Sequence, residues 1–582
     1  MIPRIILIQP PIQDFYQTRL RIQPVGLCYL AAALLKTLPD AEIMILDAQA
    51  EGGKLTIPFP QEFSYLKPYY GNLDKGPFRI FQQYYHFGLS FEDIRIRIRE
   101  FNPTIAGISN LFSPYYRETL KVASIVKEID PGIPVIVGGS HTSCRPDELL
   151  KSHDVNYIIM GEGEHSFPQL IKSLISNPGI DPSKIPGVGT MANGNIKLNT
   201  SDPILDLDTL EYPAIQLLNL DHYKYKEKRM AFLVSGRGCP YKCEFCSIST
   251  VFGNNIRSRS LENIMGEIER DYDQYGIEAF DFEDENISVL PERLETLCRM
   301  IVSRFGRKRL LLTAMNGMNY WNLSKPVLMS MEQAGFDMIN ISLVSADSNL
   351  NRLLKRNLKL EVFKEVCKVS SQQGMHTIGY HIIGMPGQTI SEMIDTFIVL
   401  MELPVLIGTS VFYLTPGIPL EKTIISLPDV EMPGEDSSFF ARSTAAWFTS
   451  KDFSREDVIT LFIISRIINS MKKWMDECGQ KNRKTVREWL KIIDAKPVNF
   501  KYDGQPVEYN DEVSRRQLHL SLISSFYHDK KIFQVIKCAK NNFKLETFVP
   551  SQKVIDSFFQ KAGERFLTSI KKAVGLLWEL KR

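Results

Sequence analysis

The stretch Ala231-Phe-Leu-Val-Ser-Gly-Arg-Gly-Cys-Pro-Tyr-Lys-Cys-Glu-Phe-Cys-Ser-Ile-Ser-Thr250 joins a short apolar run to a loop carrying Cys239, Cys243 and Cys246. The run Ala231 to Val234 reads as a buried strand, and the thiols follow in a C-x3-C-x2-C spacing. Cysteines on a loop at a strand's carboxyl end sit where α/β folds keep their chemistry. Three thiolates from one short loop hold three irons of a [4Fe–4S] cluster and leave the fourth open, because closed cages use four cysteines. A zinc knuckle is the competing reading, but it calls for a second C-x2-C pair or downstream histidines. Neither follows.

Downstream of this loop, apolar runs and helical periodicities alternate. Strands are expected at Ala231 to Val234, Ala279 to Phe282, Leu310 to Thr313, Met338 to Leu343, Thr377 to Ile383 and Thr409 to Leu414. Helices are expected at Ser260 to Tyr275, Pro291 to Ser303, Lys325 to Ala334, Glu361 to Gln373 and Ser391 to Leu403. Strand and helix in this alternation predict a partial (β/α)6 barrel over residues 230–425.

Upstream, apolar runs at Ile5 to Ile8, Ala41 to Leu46, Thr104 to Ser109, Ile133 to Val137 and Tyr157 to Met160 alternate with amphipathic stretches such as Leu27 to Leu38 and Arg117 to Ile129. This is βαβ arithmetic, so residues 1–200 are expected to form an α/β, doubly wound, Rossmann-like parallel sheet. The segment from Gly52 to Ser90, rich in Pro, Gly and Tyr, reads as a lid or edge excursion. Prolines 182, 186, 203 and 213 mark 176 to 230 as a connecting region, with the linker proper at 201–229. Beyond 425 the pattern weakens. Helical periodicity at Arg455 to Cys478, Thr485 to Asp494 and Lys553 to Leu580, with a hairpin near Phe500 to Tyr509, predicts a mostly helical C-terminal cap over 426–582. Aromatics there such as Phe526, Tyr527 and Phe533 are expected in its core.

The bulk properties narrow the class. Lys plus Arg (69) nearly balances Asp plus Glu (67), giving +2 with no block of like charge. That excludes a nucleic-acid footprint or a polybasic membrane patch. The apolar run near the N-terminus is too short for a signal peptide, and Glu402 and Pro404 interrupt the most membrane-like window, Thr396 to Leu414. The remaining cysteines, at 28, 144, 298, 367, 478 and 538, show no disulfide framework, so a cytoplasmic protein is expected.

The cysteine spacing, with Phe245 before the last thiol, resembles the signature of the radical S-adenosylmethionine (radical SAM) superfamily, in which SAM chelates the open iron. The ordered set Gln9-Pro10-Pro11, Pro24-Val-Gly26-Leu-Cys-Tyr-Leu-Ala31, Ala106-Gly-Ile-Ser109, Val137-Gly138-Gly139-Ser140-His141-Thr142 and Gly161-Glu162-Gly163-Glu164 resembles the cobalamin-binding domain fused to one branch of that superfamily. The resemblance implies a corrinoid on the carboxyl edge of the sheet, near Pro10, Gly26, Ser109, Asn110, Gly138, Gly139, Ser140, His141, Gly161, Glu162 and Gly163. No Asp-x-His-x-x-Gly is present, which implies base-off cobalamin without a histidine ligand. His141 is expected to shape the Gly-Gly loop at the corrin rim and not to bind the cobalt.

For SAM, Glu283-Asp284-Glu285-Asn286 puts four polar residues at the end of the second barrel strand, where an ammonium group needs acceptors. It resembles the family's Asp-Asp-Asn segment, with Asp284 and Glu285 in the acidic positions. Asn316 ends the third strand and offers a contact to SAM or substrate. Ser342-Leu-Val-Ser345 stands where relatives carry Gly-Ile-Glu-Ser; Val344 replaces the glutamate, leaving Ser342 and Ser345 as polar contacts. Gly384-Met-Pro386-Gly-Gln-Thr389 resembles the turn that meets the adenine, and Leu414-Thr-Pro-Gly-Ile-Pro-Leu420 resembles the family's Pro-Gly-Thr-Pro segment.

The resemblance implies a cobalamin-dependent radical SAM methyltransferase. It would move a methyl group from methylcobalamin to an unactivated carbon through a 5′-deoxyadenosyl radical, on a small-molecule, lipid or peptide substrate, with an external donor such as flavodoxin or ferredoxin. A cyclase or ring-rearranging enzyme with the same cofactors, and a non-catalytic corrinoid or redox sensor, are the alternatives.

Overall fold

In the first strand, β1 (Arg4–Gln9), Ile5 and Leu7 face one hydrophobic core and Ile6 and Ile8 face another. A strand apolar on both faces is stable only between two helical layers. The computed structural model supplies them, and describes residues 2–16, 23–70, 76–176, 181–192, 194–200, 202–427, 430, 436–481, 512–539, 542–563, 565, 566, 568, 569 and 572. The strands that follow are β2 (Ile12–Asp14), β3 (Glu42–Asp47), β4 (Gly53–Ile57), β5 (Tyr84–Gly88), β6 (Ile105–Ser109), β7 (Val135–Gly138), β8 (Tyr157–Ile159), β9 (Val188–Ala192) and β10 (Asn195–Leu198). The main sheet runs β10-β9-β8-β7-β6-β1-β3, parallel from β3 to β8. Helices Val25–Thr37 and Gly163–Ser176 cover one face; Phe91–Phe101 and Tyr116–Ile129 cover the other. The order reverses at β1 and β6, so a crevice opens at their carboxyl ends, the usual ligand position in such a sheet.

The region between 176 and 230 departs from a plain connection. β9 and β10 form an antiparallel hairpin that widens the main sheet, and only the part beyond 202 is made of short turns, among them Leu207–Thr209 and Ile215–Leu217. The excursion from Gly52 to Ser90 has its own order: β5 pairs antiparallel with β4 on one side and with β2 on the other.

The second body begins with β11 (Lys224–Tyr225) and β12 (Lys228–Leu233), followed by the short strands β13 (Gly236–Arg237) and β14 (Arg257–Ser258). Then come β15 (Ala279–Phe282), β16 (Leu311–Thr313), β17 (Met338–Val344), β18 (His376–Ile383) and β19 (Leu406–Val411). β12, β15 and β16 pair in parallel, as do β17, β18 and β19. Parallel bridges Leu312–Phe336 and Met318–Ile341 join the two groups into one curved, partial barrel.

β19 would leave an open edge, which a protein must cover. Helix Arg455–Lys481 does so: Asn469 exchanges two hydrogen bonds with the backbone of Ile407, at 2.8 and 2.7 Å, in the manner of a missing strand. Three residues further on, the buried Lys472 ammonium donates to the carbonyls of Leu400, Leu403 and Val405 at 2.7, 2.9 and 2.8 Å. These carbonyls lie at and just past the C-terminus of helix Ile390–Met401, where a cation is favoured. Lys472→Met keeps the length of the side chain but removes the charged donor from all three carbonyls. It should lower stability by about 2–4 kcal/mol, read as a lower urea midpoint at unchanged m-value.

Among the described residues the C-terminal part is mostly helical, as expected, with one strand pair added. Strands β20 (Ile532–Ala539) and β21 (Asn542–Phe548) form an antiparallel hairpin, beside helices Glu512–Asp529 and Gln552–Ala562. Phe526 packs with Phe558, Phe559 and Phe566 in its core, and Tyr527 and Phe533 pack at the margin. The expected helix at 485–494 and hairpin at 500–509 lie outside the described residues. Among the described residues no helix is long and apolar enough to cross a membrane.

Candidate active site

The cysteine loop leaves and returns through one neck, where β13 and β14 pair antiparallel. Gly238 opens it at φ +86°, and a Cβ there would sit 2.3 Å from the Asn255 carbonyl oxygen, so only glycine fits. Cys239, Cys243 and Cys246 are all half-buried. The Cys239 sulfur accepts from the Tyr241 N–H and the Asn286 side chain, and the Cys246 sulfur from the Ile248 N–H. Burial pushes the Cys246 thiol up to about 11 and raises Cys239 as well, with Cys243 adding to both. The three sulfurs therefore feel one another, yet no three such groups among the described residues converge on a single ion. Three thiols on one short loop suit a polynuclear cluster, each ligating its own iron. Peptide N–H groups aimed at the sulfurs are one lever by which proteins set a cluster's potential.

A cation that the sequence reading missed stands beside the loop. Arg356 Nη1 lies 4.0 Å from Cys243 Sγ, and Nη2 donates to the Ser342 carbonyl at 2.5 Å. Its guanidinium lies 5.4 Å from the Trp321 ring, and Trp321 Nε1 donates to Tyr241 Oη at 3.3 Å. The available signal was the basic run Arg352, Lys355, Arg356 just after the strand that ends in Ser342 to Ser345.

The acidic strand end divides its work differently from expectation. Asp284 is buried, and its carboxylate accepts the Ser235 N–H and hydroxyl at 2.7 and 2.5 Å, so it pins the end of β12. Burial pushes it up to about 6. Glu285 accepts the Gly238 N–H at 2.9 Å, next to Cys239, and burial with the charge of Asp284 pushes it up to about 7. The outward carboxylate is Glu283, whose Oε2 accepts from the exposed Asn316 amide at 2.9 Å, so the ends of β15 and β16 present one polar pair.

Further along the barrel, Ser342 offers its carbonyl to Arg356, whereas Ser345 is fully buried. Its hydroxyl accepts the Asp347 N–H at 3.1 Å. Between them β17 bulges, and Val344 is held at φ +67°, a strained conformation for a β-branched residue and a feature that concentrates at functional sites. Gly384 lies under the C-terminal body, where a Cβ would meet Val458 at 3.2 Å, so its smallness serves packing; Pro386 beside it is partly exposed. Phe245 packs on the main core, and Tyr413, just past β19, is 38% exposed with Cys246 nearby.

At the crevice of the N-terminal sheet, Gly26 is exposed, with nothing within 4 Å of the place a Cβ would take. Leu111 (40% exposed) and Phe112 (44% exposed) follow β6 at the same edge. An open glycine beside bare apolar side chains makes a flat surface that suits a large planar macrocycle. Gly138, Gly139, Ser140 and Ser109 are partly exposed there, while Gly161 donates its N–H to Ser143 Oγ at 2.8 Å. Gly139, at φ +119°, lies against Asn110, whose carbonyl oxygen would be 2.5 Å from a Cβ.

Four residues expected at this edge are buried within the protein. Asn110 turns its amide inward to Thr119 at 3.0 Å, and Pro10 is buried. The His141 ring is enclosed by Ser113 at 2.9 Å, Glu148 at 3.1 Å and the stacked Tyr116. Glu162 turns away from the edge altogether. Its carboxylate is buried between Arg237 Nη1 at 3.0 Å and Arg257 Nη1 at 2.7 Å, and it also accepts the Ile204 N–H at 2.7 Å. Glu164 takes Arg237 Nη2 at 2.5 Å. Because Arg237 and Arg257 are paired across β13 and β14, the glycine loop after β8 is clamped to the neck of the cysteine loop. The arginines bring Glu162 below the ordinary glutamate range against the opposing effect of burial.

Comparison with known proteins agrees with this geometry. Residues 81–171 match the model of the B12 binding domain, and residues 233–399 match that of the radical SAM superfamily. A corrinoid domain followed by a radical SAM domain in one chain places the protein among the cobalamin-dependent radical SAM enzymes. Its cofactors are accordingly a [4Fe–4S] cluster, SAM and cobalamin. Among its relatives, the cytidylyl-2-hydroxyethylphosphonate methyltransferase of Streptomyces wedmorensis is 27% identical over 406 residues, spanning 64% of this chain and 71% of that one. The anaerobic magnesium-protoporphyrin IX monomethyl ester cyclase of Rubrivivax gelatinosus is 24% identical over 319 residues, 53% of this chain and 56% of that one. The cobalamin-dependent SAM radical enzyme OxsB shares the fold at a TM-score of 0.60 and 13% identity, covering 100% of this chain and 84% of that one.

Proposed function

We propose that the protein is a radical SAM C-methyltransferase that uses cobalamin. When bound, the three cofactors supply reductive cleavage of the SAM carbon–sulfur bond and a transferable methyl group. The chain's own residues bind and orient them. Cys239, Cys243 and Cys246 hold the cluster at three corners, with N–H donors from Tyr241, Ile248 and Asn286 around the sulfurs. Glu283 and Asn316 face the ammonium group of SAM, and the Arg356 guanidinium, next to Cys243, attracts its carboxylate. Gly26, Gly138 and the apolar pair Leu111 and Phe112 receive the corrin. Tyr16 and Tyr413 stand between the two bodies, Tyr16 bonded to Ser443 at 2.9 Å, and orient the substrate there.

One observation carries the reading: the ionic clamp of Glu162 and Glu164 on Arg237 and Arg257, which fixes the corrinoid-side glycine loop against the cluster loop. Methyl transfer to a carbon radical demands such fixed placement of two cofactors around one substrate. The test is anaerobic reconstitution with iron, sulfide, cobalamin, reductant and methyl-labelled SAM. Formation of 5′-deoxyadenosine and S-adenosylhomocysteine, with label in the product, is expected. Cluster-loaded protein that never cleaves SAM would refute the assignment. The similarity to a cyclase supports a second reading, ring closure without methylation, which predicts an unlabelled product.

A further inference from the structure

Radical SAM cleavage consumes one electron per event, and that electron must enter through the surface nearest the cluster. The crest of the cysteine loop is bound on both sides through Glu244. Its N–H donates to the Leu354 carbonyl at 3.2 Å, and its carbonyl accepts the Leu420 N–H at 2.9 Å. The short helices Ser348–Leu353 and Glu421–Ile425 therefore flank the loop. Each ends in a bare apolar side chain: Leu353 is 69% exposed and Ile425 54% exposed, among the most exposed large hydrophobic residues of the described chain. Around them Lys242, Arg352, Lys359 and Lys422 are exposed and have no carboxylate partner among the described residues. Among the described residues, carboxylates nearby are already engaged: Glu244 with Lys355, Glu421 with Arg145, Asp347 with the Leu350 N–H and Glu361 with Lys364.

We propose that this face, built from residues 242–244, 352–359 and 420–425, docks a small acidic flavoprotein of the flavodoxin kind. The proposal rests on the function assigned above. An apolar centre within a ring of one charge is the form of a transient protein interface, in which the ring steers and the centre holds. The chain as a whole is nearly neutral, at +2, so four cations without a carboxylate partner among the described residues are a local feature of this face. The complement is a carrier whose apolar flavin edge is set among carboxylates. On docking, one electron leaves the flavin hydroquinone anion, which becomes the neutral semiquinone, and enters the cluster, which is reduced by one; no proton moves.

The experiment compares two reductants on the cluster- and cobalamin-loaded protein. In one arm a reduced acidic flavodoxin supplies electrons; in the other, dithionite does. The triple variant Arg352→Glu, Lys359→Glu, Lys422→Glu should form 5′-deoxyadenosine at least about tenfold more slowly with flavodoxin, and at the wild-type rate with dithionite. Added salt should slow only the flavodoxin arm of the wild type, because exposed charges are screened. A variant that keeps the wild-type flavodoxin rate, or loses both arms alike, overturns the docking assignment. Wild-type protein that fails to cleave SAM even with dithionite overturns the function reading instead.

Discussion

Cys243→Ala protein will emerge from anaerobic reconstitution without the visible absorbance of a [4Fe–4S] cluster, and will form no 5′-deoxyadenosine with any reductant. The loop provides three thiolates and no fourth, so removal of one leaves an iron without its thiolate from the loop. The same loop predicts the pH dependence of assembly. Burial holds the Cys246 thiol up at about 11, so at neutral pH it is protonated, and iron must displace that proton to bind. Lower pH favours the protonated thiol, and reconstitution yield should fall as pH is lowered and rise toward the alkaline side. A pH-independent yield between neutral and alkaline conditions would mean that the buried thiol does not limit assembly.

Glu162→Ala should be the most destabilising single change outside the cysteines. It leaves two buried guanidinium groups, Arg237 and Arg257, without their common counter-charge. Breaking a buried pair in this way costs about 3–5 kcal/mol, a large share of the roughly 5–15 kcal/mol that holds a typical domain together. Glu162→Gln keeps the shape and one acceptor oxygen and should lose less. The folded state holds Glu162 below its ordinary range, so its contribution is complete above that range and is lost as pH falls through the lowered value. Denaturant midpoints of wild type and Glu162→Ala should accordingly converge in acid. Equal midpoints at neutral pH would show that the clamp carries no stability.

The fold was legible wherever periodicity was strong. β1, β3, β6 and β7, and every barrel strand, fall within a few residues of their apolar runs, because a strand buried on both faces has a continuous apolar signature. The hairpin of β9 and β10 was missed because Thr190, Ala192 and Lys197 give an exposed edge no such run. At the site, the cysteines could be read because their spacing is local. The division of labour among the acids could not: Asp284 and Glu285 turn back to Ser235 and Gly238, while Glu283 points outward, and one residue of register at a strand end decides which is which. Arg356 and the partners of Glu162 were hidden for another reason, since their contacts span 113, 75 and 95 residues and depend on how the two bodies meet.

The knot between the two ends of the chain sets an order of assembly. Asp14, buried just after β2, accepts Arg442 Nη1 at 2.9 Å and the Thr444 hydroxyl at 2.9 Å, contacts that bridge 428 and 430 residues. The Arg442 guanidinium also donates to the carbonyls of Gln13, Pro114 and Ser438, each at 2.6 Å. No part of that knot can tighten until some three quarters of the polypeptide has been made, and closures of such long sequence separation form late. During synthesis, then, the sheet's carboxyl edge stands complete but unlatched. The nascent chain carries its widest doorway early, and only the segment around Arg442 and Thr444 shuts it.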